Sequence, residues 1–102
     1  QSAQFPGGEE AWIAFIEKNI DDNVPARLHA PPGSYTAVVT FAVEKDGTVS
    51  QVKILENPGY GTAAELQRVI KASPKWIPAA QNGKVVLYRQ KQSATFTVFV
   101  SY

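Results

Sequence analysis

The sequence predicts an α+β fold of element order α-β-β-α-β. A three-stranded antiparallel sheet of order 2-1-3 carries two helices packed on one face. Three observations lead there. Apolar residues recur at helical spacing after Gly8 and again after Gly61. An Asp-Gly dipeptide joins two runs of alternating apolar residues. A third alternating run, Val85 to Val100, follows the second helical segment. The helical crossover makes the second and third strands parallel, so the third sits beside the first and antiparallel to it.

Taken in order, Gln1 to Gln4 read as a frayed terminus and Phe5-Pro6-Gly7-Gly8 as a turn into a helix. From Glu9 to about Asn19, Trp12, Phe15, Ile16 and Ile20 form one apolar stripe, with Glu9 and Glu10 at the dipole's positive end. Three prolines and Gly33 mark residues 24–33 as loop. Tyr35 to Glu44 is a strand with Ala37, Val39, Phe41 and Val43 on one face. A two-residue type I′ turn at Asp46-Gly47 would pair Phe41 with Val52, Val39 with Ile54 and Val43 with Ser50. On the other face it pairs Thr40 with Lys53, Ala42 with Gln51 and Glu44 with Val49.

Asn57-Pro58-Gly59-Tyr60-Gly61 ends the second strand. Thr62-Ala63-Ala64-Glu65 fits a capping box with Thr62 as N-cap and Glu65 reaching back. The helix that follows buries Ala63, Leu66, Val69 and Ile70 and stops before Pro74. Trp76-Ile77-Pro78 is an extended exit and Gln81-Asn82-Gly83-Lys84 a turn. From Val85 to Val100 the chain reads as strand, with Ala94, Phe96, Val98 and Val100 on one face and Thr95, Thr97 and Phe99 on the other.

With 102 residues and 11.1 kDa, residues 1–102 make a single domain. A 44% hydrophobic and 19% charged composition is that of a folded protein. The absence of Cys excludes disulfide scaffolds, thiol catalysis and cysteine-zinc sites. No apolar run approaches the roughly 18 residues that span a bilayer, and no secretory signal opens the chain. The net charge of +1 is unevenly spread. Residues 1–65 hold all nine acids against four bases, and residues 66–102 hold six bases and no acid. Such a basic half either steers an anionic partner or is simply a solvated face.

Catalysis finds little support. His29 is the only histidine, with no Cys to join it as a metal ligand, so it reads as a surface residue. Asp21-Asp22 and Glu9-Glu10 are sequence neighbours, which point apart on a helix and suit capping or solubility. No nucleophile motif, Walker loop or GxGxxG is present, and no cofactor is expected. Trp76, Tyr88, Phe96, Phe99 and Tyr102 lie among the bases, but the RNA-recognition signature is missing and nucleic acid is not an expected partner. What remains is the long outer edge of the third strand, which either is protected by its charges or accepts an added strand. Its candidate docking residues are Arg89, Lys91, Ser93, Thr95, Thr97 and Phe99.

These residues resemble a known family. Phe5-Pro6-Gly7-Gly8, Lys45-Asp46-Gly47, Val52-Lys53-Ile54-Leu55, Arg68-Val69-Ile70-Lys71 and Ser73-Pro74-Lys75-Trp76-Ile77-Pro78-Ala79 are similar to motifs of the C-terminal domain of TonB-type energy transducers. So are Gln81-Asn82-Gly83-Lys84, Tyr88-Arg89-Gln90-Lys91-Gln92 and Thr95-Phe96-Thr97-Val98, and the resemblance runs from Phe5 to Val100. Val24-Pro25 stands where the family often has Tyr-Pro. The resemblance implies a non-enzymatic periplasmic domain that docks the TonB box of an outer-membrane receptor by strand addition beside its last strand, supporting active transport. It also implies coupling to an inner-membrane proton-driven motor through an N-terminal anchor and spacer absent from these residues. A monomer, or a weak or strand-swapped dimer, is expected. The alternative is a stand-alone exported module of the same fold that binds cell-wall glycan or another envelope protein.

Overall fold

The computed structural model describes residues 1–100. Tyr102, counted above among the aromatic residues of the basic half, lies outside the described residues. In chain order the elements are α1 (Glu9–Asn19), α2 (Val24–Arg27), β1 (Gly33–Val43), β2 (Val49–Glu56), α3 (Thr62–Lys71), β3 (Ala79–Gln81), β4 (Lys84–Val86) and β5 (Tyr88–Val98). The main sheet has order β2-β1-β5 with both pairings antiparallel, which is the expected topology.

Period-two alternation places Ala37, Val39, Phe41 and Val43 of β1 in the core, each at most 1% exposed. Trp12 and Ile16 of α1 and Ala63, Leu66, Val69 and Ile70 of α3 close over that face. The centre is aromatic. Trp12 and Trp76 meet edge to face with ring centroids 4.7 Å apart, and Phe5 and Phe41 lie 5.2 and 5.9 Å from Trp12. Trp76 arrives there from outside the regular elements because its N–H donates to the Gly47 carbonyl at 2.8 Å.

Several local expectations are corrected. The β1–β2 loop has three residues, not two. Glu44 N–H donates to the Thr48 carbonyl at 2.8 Å and Gly47 N–H to the Glu44 carbonyl at 2.9 Å. Asp46 Oδ1 accepts from the Thr48 N–H and hydroxyl at 3.0 and 2.7 Å, which stabilises the longer loop. Val43 therefore pairs with Val49 and Ala42 with Ser50, one residue from the expected register. An extra residue in β2, with Gln51 at φ 51°, then restores Thr40–Lys53 and Val39–Ile54 as expected.

The capping box is not formed. Gly61 is the N-cap, in the left-handed region at φ 75°, and Thr62 is the first helical residue. The Thr62 hydroxyl donates to the Gly59 carbonyl at 2.7 Å. Glu65 turns away to a stronger set of donors: Arg68 Nε and Nη2 at 2.8 and 2.7 Å, and the Asp21 N–H at 2.8 Å. Residues 24–27, expected as loop, form a helical turn, because Pro25 falls in its first turn, where a missing N–H costs nothing. The expected final strand breaks at Leu87, and β4 folds back on β3 through Asn82-Gly83, both at positive φ. Residues 1–4, expected to fray, lie against residues 77–80, with Gln4 and Ile77 exchanging backbone hydrogen bonds at 2.9 and 2.7 Å.

Candidate functional site

β5 owes its shape to side chains on its core face. Phe96 is 1% exposed, Ala94 packs on the core, and Gln92 Oε1 accepts from Trp12 Nε1 at 2.7 Å. Eleven consecutive pairs, from Gly33–Val98 to Val43–Tyr88, hold it to β1 without a register shift. Its other edge pairs with no strand among the described residues. A straight antiparallel edge of this kind presents alternate N–H and C=O groups outward.

The opposite edge of the sheet is differently built. β2 carries two register irregularities, and Gln67 Nε2 of α3 donates to the Val52 carbonyl at 2.9 Å, occupying backbone that another strand would use. Lys53 adds a charge on the same strand. Bulges, charges and side-chain cover are the means by which edges are made unreceptive. β5 carries charges too, at Arg89 and Lys91, and its Ser93 carbonyl accepts from Gln92 Nε2 at 2.9 Å, but it has neither a bulge nor a break.

Of the six residues proposed from sequence, Arg89, Lys91, Ser93, Thr95 and Thr97 alternate along one face of β5 and are all exposed. Phe99 lies one residue past the strand end and is 81% exposed. Thr95 Oγ1 lies 2.9 Å from Thr36 Oγ1 of β1. Arg89 Nη1 donates to Gln51 Oε1 at 2.9 Å, across Ala42, which is fully buried beneath them. These side chains flank the edge. The edge itself is backbone.

Sequence reasoning did not find the groove on the helix side of this edge. About 290 Å³ opens between α1 and Gln92–Thr95, lined by Ile13, Ile16 and Ile20, with the carboxylates Glu17 and Asp22 also on its wall. A signal existed: Ile13 stands three and seven residues before Ile16 and Ile20, which widens the stripe that carries Trp12.

Two other acids are engaged in ion pairs. Arg27 hydrogen-bonds the Asp21 carboxylate and holds its pKa below the usual range. Arg68 does the same to Glu65, and its Nη2 also reaches the Asn19 carbonyl at 2.9 Å, tying the end of α1 to α3. His29 is exposed at φ 64°. Among the described residues no group of three or more His, Cys, Asp or Glu is placed to hold a metal, and no helix is long and apolar enough to cross a membrane.

A family model for the Gram-negative bacterial TonB protein C-terminal matches residues 35–98, from β1 to the last residue of β5. The chain belongs to this family. The match takes in most of the sheet, α3 and the β3–β4 hairpin, while α1 and α2 precede it. No curated protein matches the chain. TonB C-terminal domains are periplasmic in Gram-negative bacteria, non-enzymatic and related to transport, and membership implies interaction with outer-membrane receptors.

Proposed function

We propose that this domain binds the TonB box of an outer-membrane receptor as a strand added along the free edge of β5. It would serve in the periplasm as the receptor-binding end of an energy transducer. The observation that carries this reading is the contrast between the two sheet edges: β5 keeps one register along eleven residues, and β2 is broken by two irregularities. Strand addition draws on main-chain hydrogen bonds, which any sequence supplies, so one edge can serve several receptors. Force from an inner-membrane proton-driven motor would reach the receptor through that pairing.

The test is a titration of the isotope-labelled domain with a TonB-box peptide, followed by backbone amide shifts. Shifts concentrated at Gln92 to Val100 are expected. Shifts confined to the Asp46-Gly47 loop, or none at millimolar peptide, would overturn the reading and leave the stand-alone envelope module.

A further inference from the structure

We infer that the groove between α1 and the β5 edge selects the side chains of the added strand: a bulky aliphatic residue, with lysine or arginine two positions away on the same face. This rests on the strand addition proposed above and adds the side-chain chemistry of the partner to it.

A strand added to β5 would lie about 4.8 Å away with its side chains alternating between the two sheet faces. Those on the helix side, level with Gln92 and Ala94, enter the space walled by Ile13, Ile16 and Ile20. Its volume of about 290 Å³ is at the lower limit of small-molecule sites and suits one or two side chains. Ile13 is 38% exposed and Ile16 only 6%, so an aliphatic side chain there covers a surface already half closed. Gln92 is partly satisfied from within the domain. Its Oε1 is taken by Trp12, and its Nε2 donates to the Ser93 carbonyl at 2.9 Å.

The charge preference comes from Glu17 and Asp22. Among the described residues the ion pairs are Arg27–Asp21 and Arg68–Glu65, which leaves these two carboxylates without a cation. A lysine or arginine can lay its aliphatic stem on the isoleucines and bring its charge to the carboxylates. Side chains two apart on a strand are separated by about 6.8 Å, so one residue can fill the groove while the next reaches its wall. The opposite face of the added strand would run beside Arg89 and Lys91, where a cation is repelled. The two sides of the edge therefore carry opposite charge, and they dictate which face of the partner turns toward α1.

The experiment compares two short extended peptides that differ at one helix-facing position, Leu-x-Lys against Leu-x-Glu. Amide shifts and Kd are measured on the wild type and on the exposed-site double variant Glu17→Gln, Asp22→Asn. The lysine peptide is expected to bind more tightly by roughly two- to five-fold per carboxylate at low salt. The preference should shrink at high salt and vanish in the double variant. Shifts along β5 with equal Kd for both peptides, or a preference retained in the double variant, would overturn the inference alone. Silence of the β5 amides toward both peptides would overturn the strand-addition reading, and this inference with it.

Discussion

Replacing Gly47 by Ala tests how the β1–β2 hairpin is locked to the core. Gly47 sits at φ 90°, and a Cβ there would lie 2.2 Å from the Trp76 carbonyl oxygen. That neighbour is backbone, so no rotamer change can clear it. The left-handed conformation alone costs an L-residue about 1–2 kcal/mol. Relieving the contact means separating the two segments and losing the Trp76 N–H bond to Gly47, a further loss of about 1–3 kcal/mol. The sum of about 2–5 kcal/mol is a large share of the roughly 5–15 kcal/mol that holds a domain together. Gly83→Ala is the control. Gly83 has φ 79° with nothing within 4 Å of its ideal Cβ, so only the conformational cost of about 1–2 kcal/mol applies. Urea melts followed by tryptophan fluorescence report both variants, since Trp12 and Trp76 belong to the same cluster. Equal costs at the two glycines would refute the close approach of the hairpin to Trp76.

Phe41→Ala empties a site that is 1% exposed and should cost about 3–5 kcal/mol. Thr62→Ala removes a hydroxyl donor to the Gly59 carbonyl and should cost less, about 1–3 kcal/mol; the reverse ranking in denaturant melts would contradict the core assignment. Glu65 is held below its ordinary pKa, chiefly by hydrogen bonds from Arg68. The unfolded chain therefore takes up its proton first as pH falls. Glu65 contributes stability above its unfolded pKa and loses it as pH drops through the folded one. Denaturation midpoints across the acid range should fall less steeply in Glu65→Gln than in the wild type, with Asp21 and Asp46 supplying a residual slope of the same sign. An unchanged slope would remove Glu65 from that role.

The features that local pattern controls were legible in the sequence. The stripe of Trp12, Phe15 and Ile16, the alternation from Ala37 to Val43 and the Asn82-Gly83 turn each depend on neighbours in the chain. The crossover logic then placed the last strand beside the first. What escaped were choices made by distant partners. Glu65 abandons its capping role because Arg68 and the Asp21 N–H offer more than the helix start does. The loop at Asp46 gains a residue because Thr48 satisfies the aspartate, and Gln51 absorbs the shift inside β2, where no glycine or proline marks it. Residues 1–4 looked unstructured because their partner strand segment lies more than seventy residues away, at Ile77 to Ala80. The six proposed edge residues were chosen by strand parity, and Phe99 falls one residue past the strand end. The groove behind them needed the position of α1 over β5, which no local pattern encodes.

The unbroken pairing of β5 with β1 has a consequence for entropy. The strand is already ordered along all eleven residues, so it has little conformational freedom left to lose when another segment lies against it. The ordering cost falls on the incoming chain, at about 1–2 kcal/mol for each backbone residue fixed. Each hydrogen bond formed returns a net of only about 0.5–1.5 kcal/mol. The two nearly cancel residue by residue, so a longer paired segment holds hardly more tightly than a shorter one. In the proposed strand addition, the lifetime of the contact would then be set by the few side chains that find a place beside the edge, with the backbone pairing forming and releasing readily.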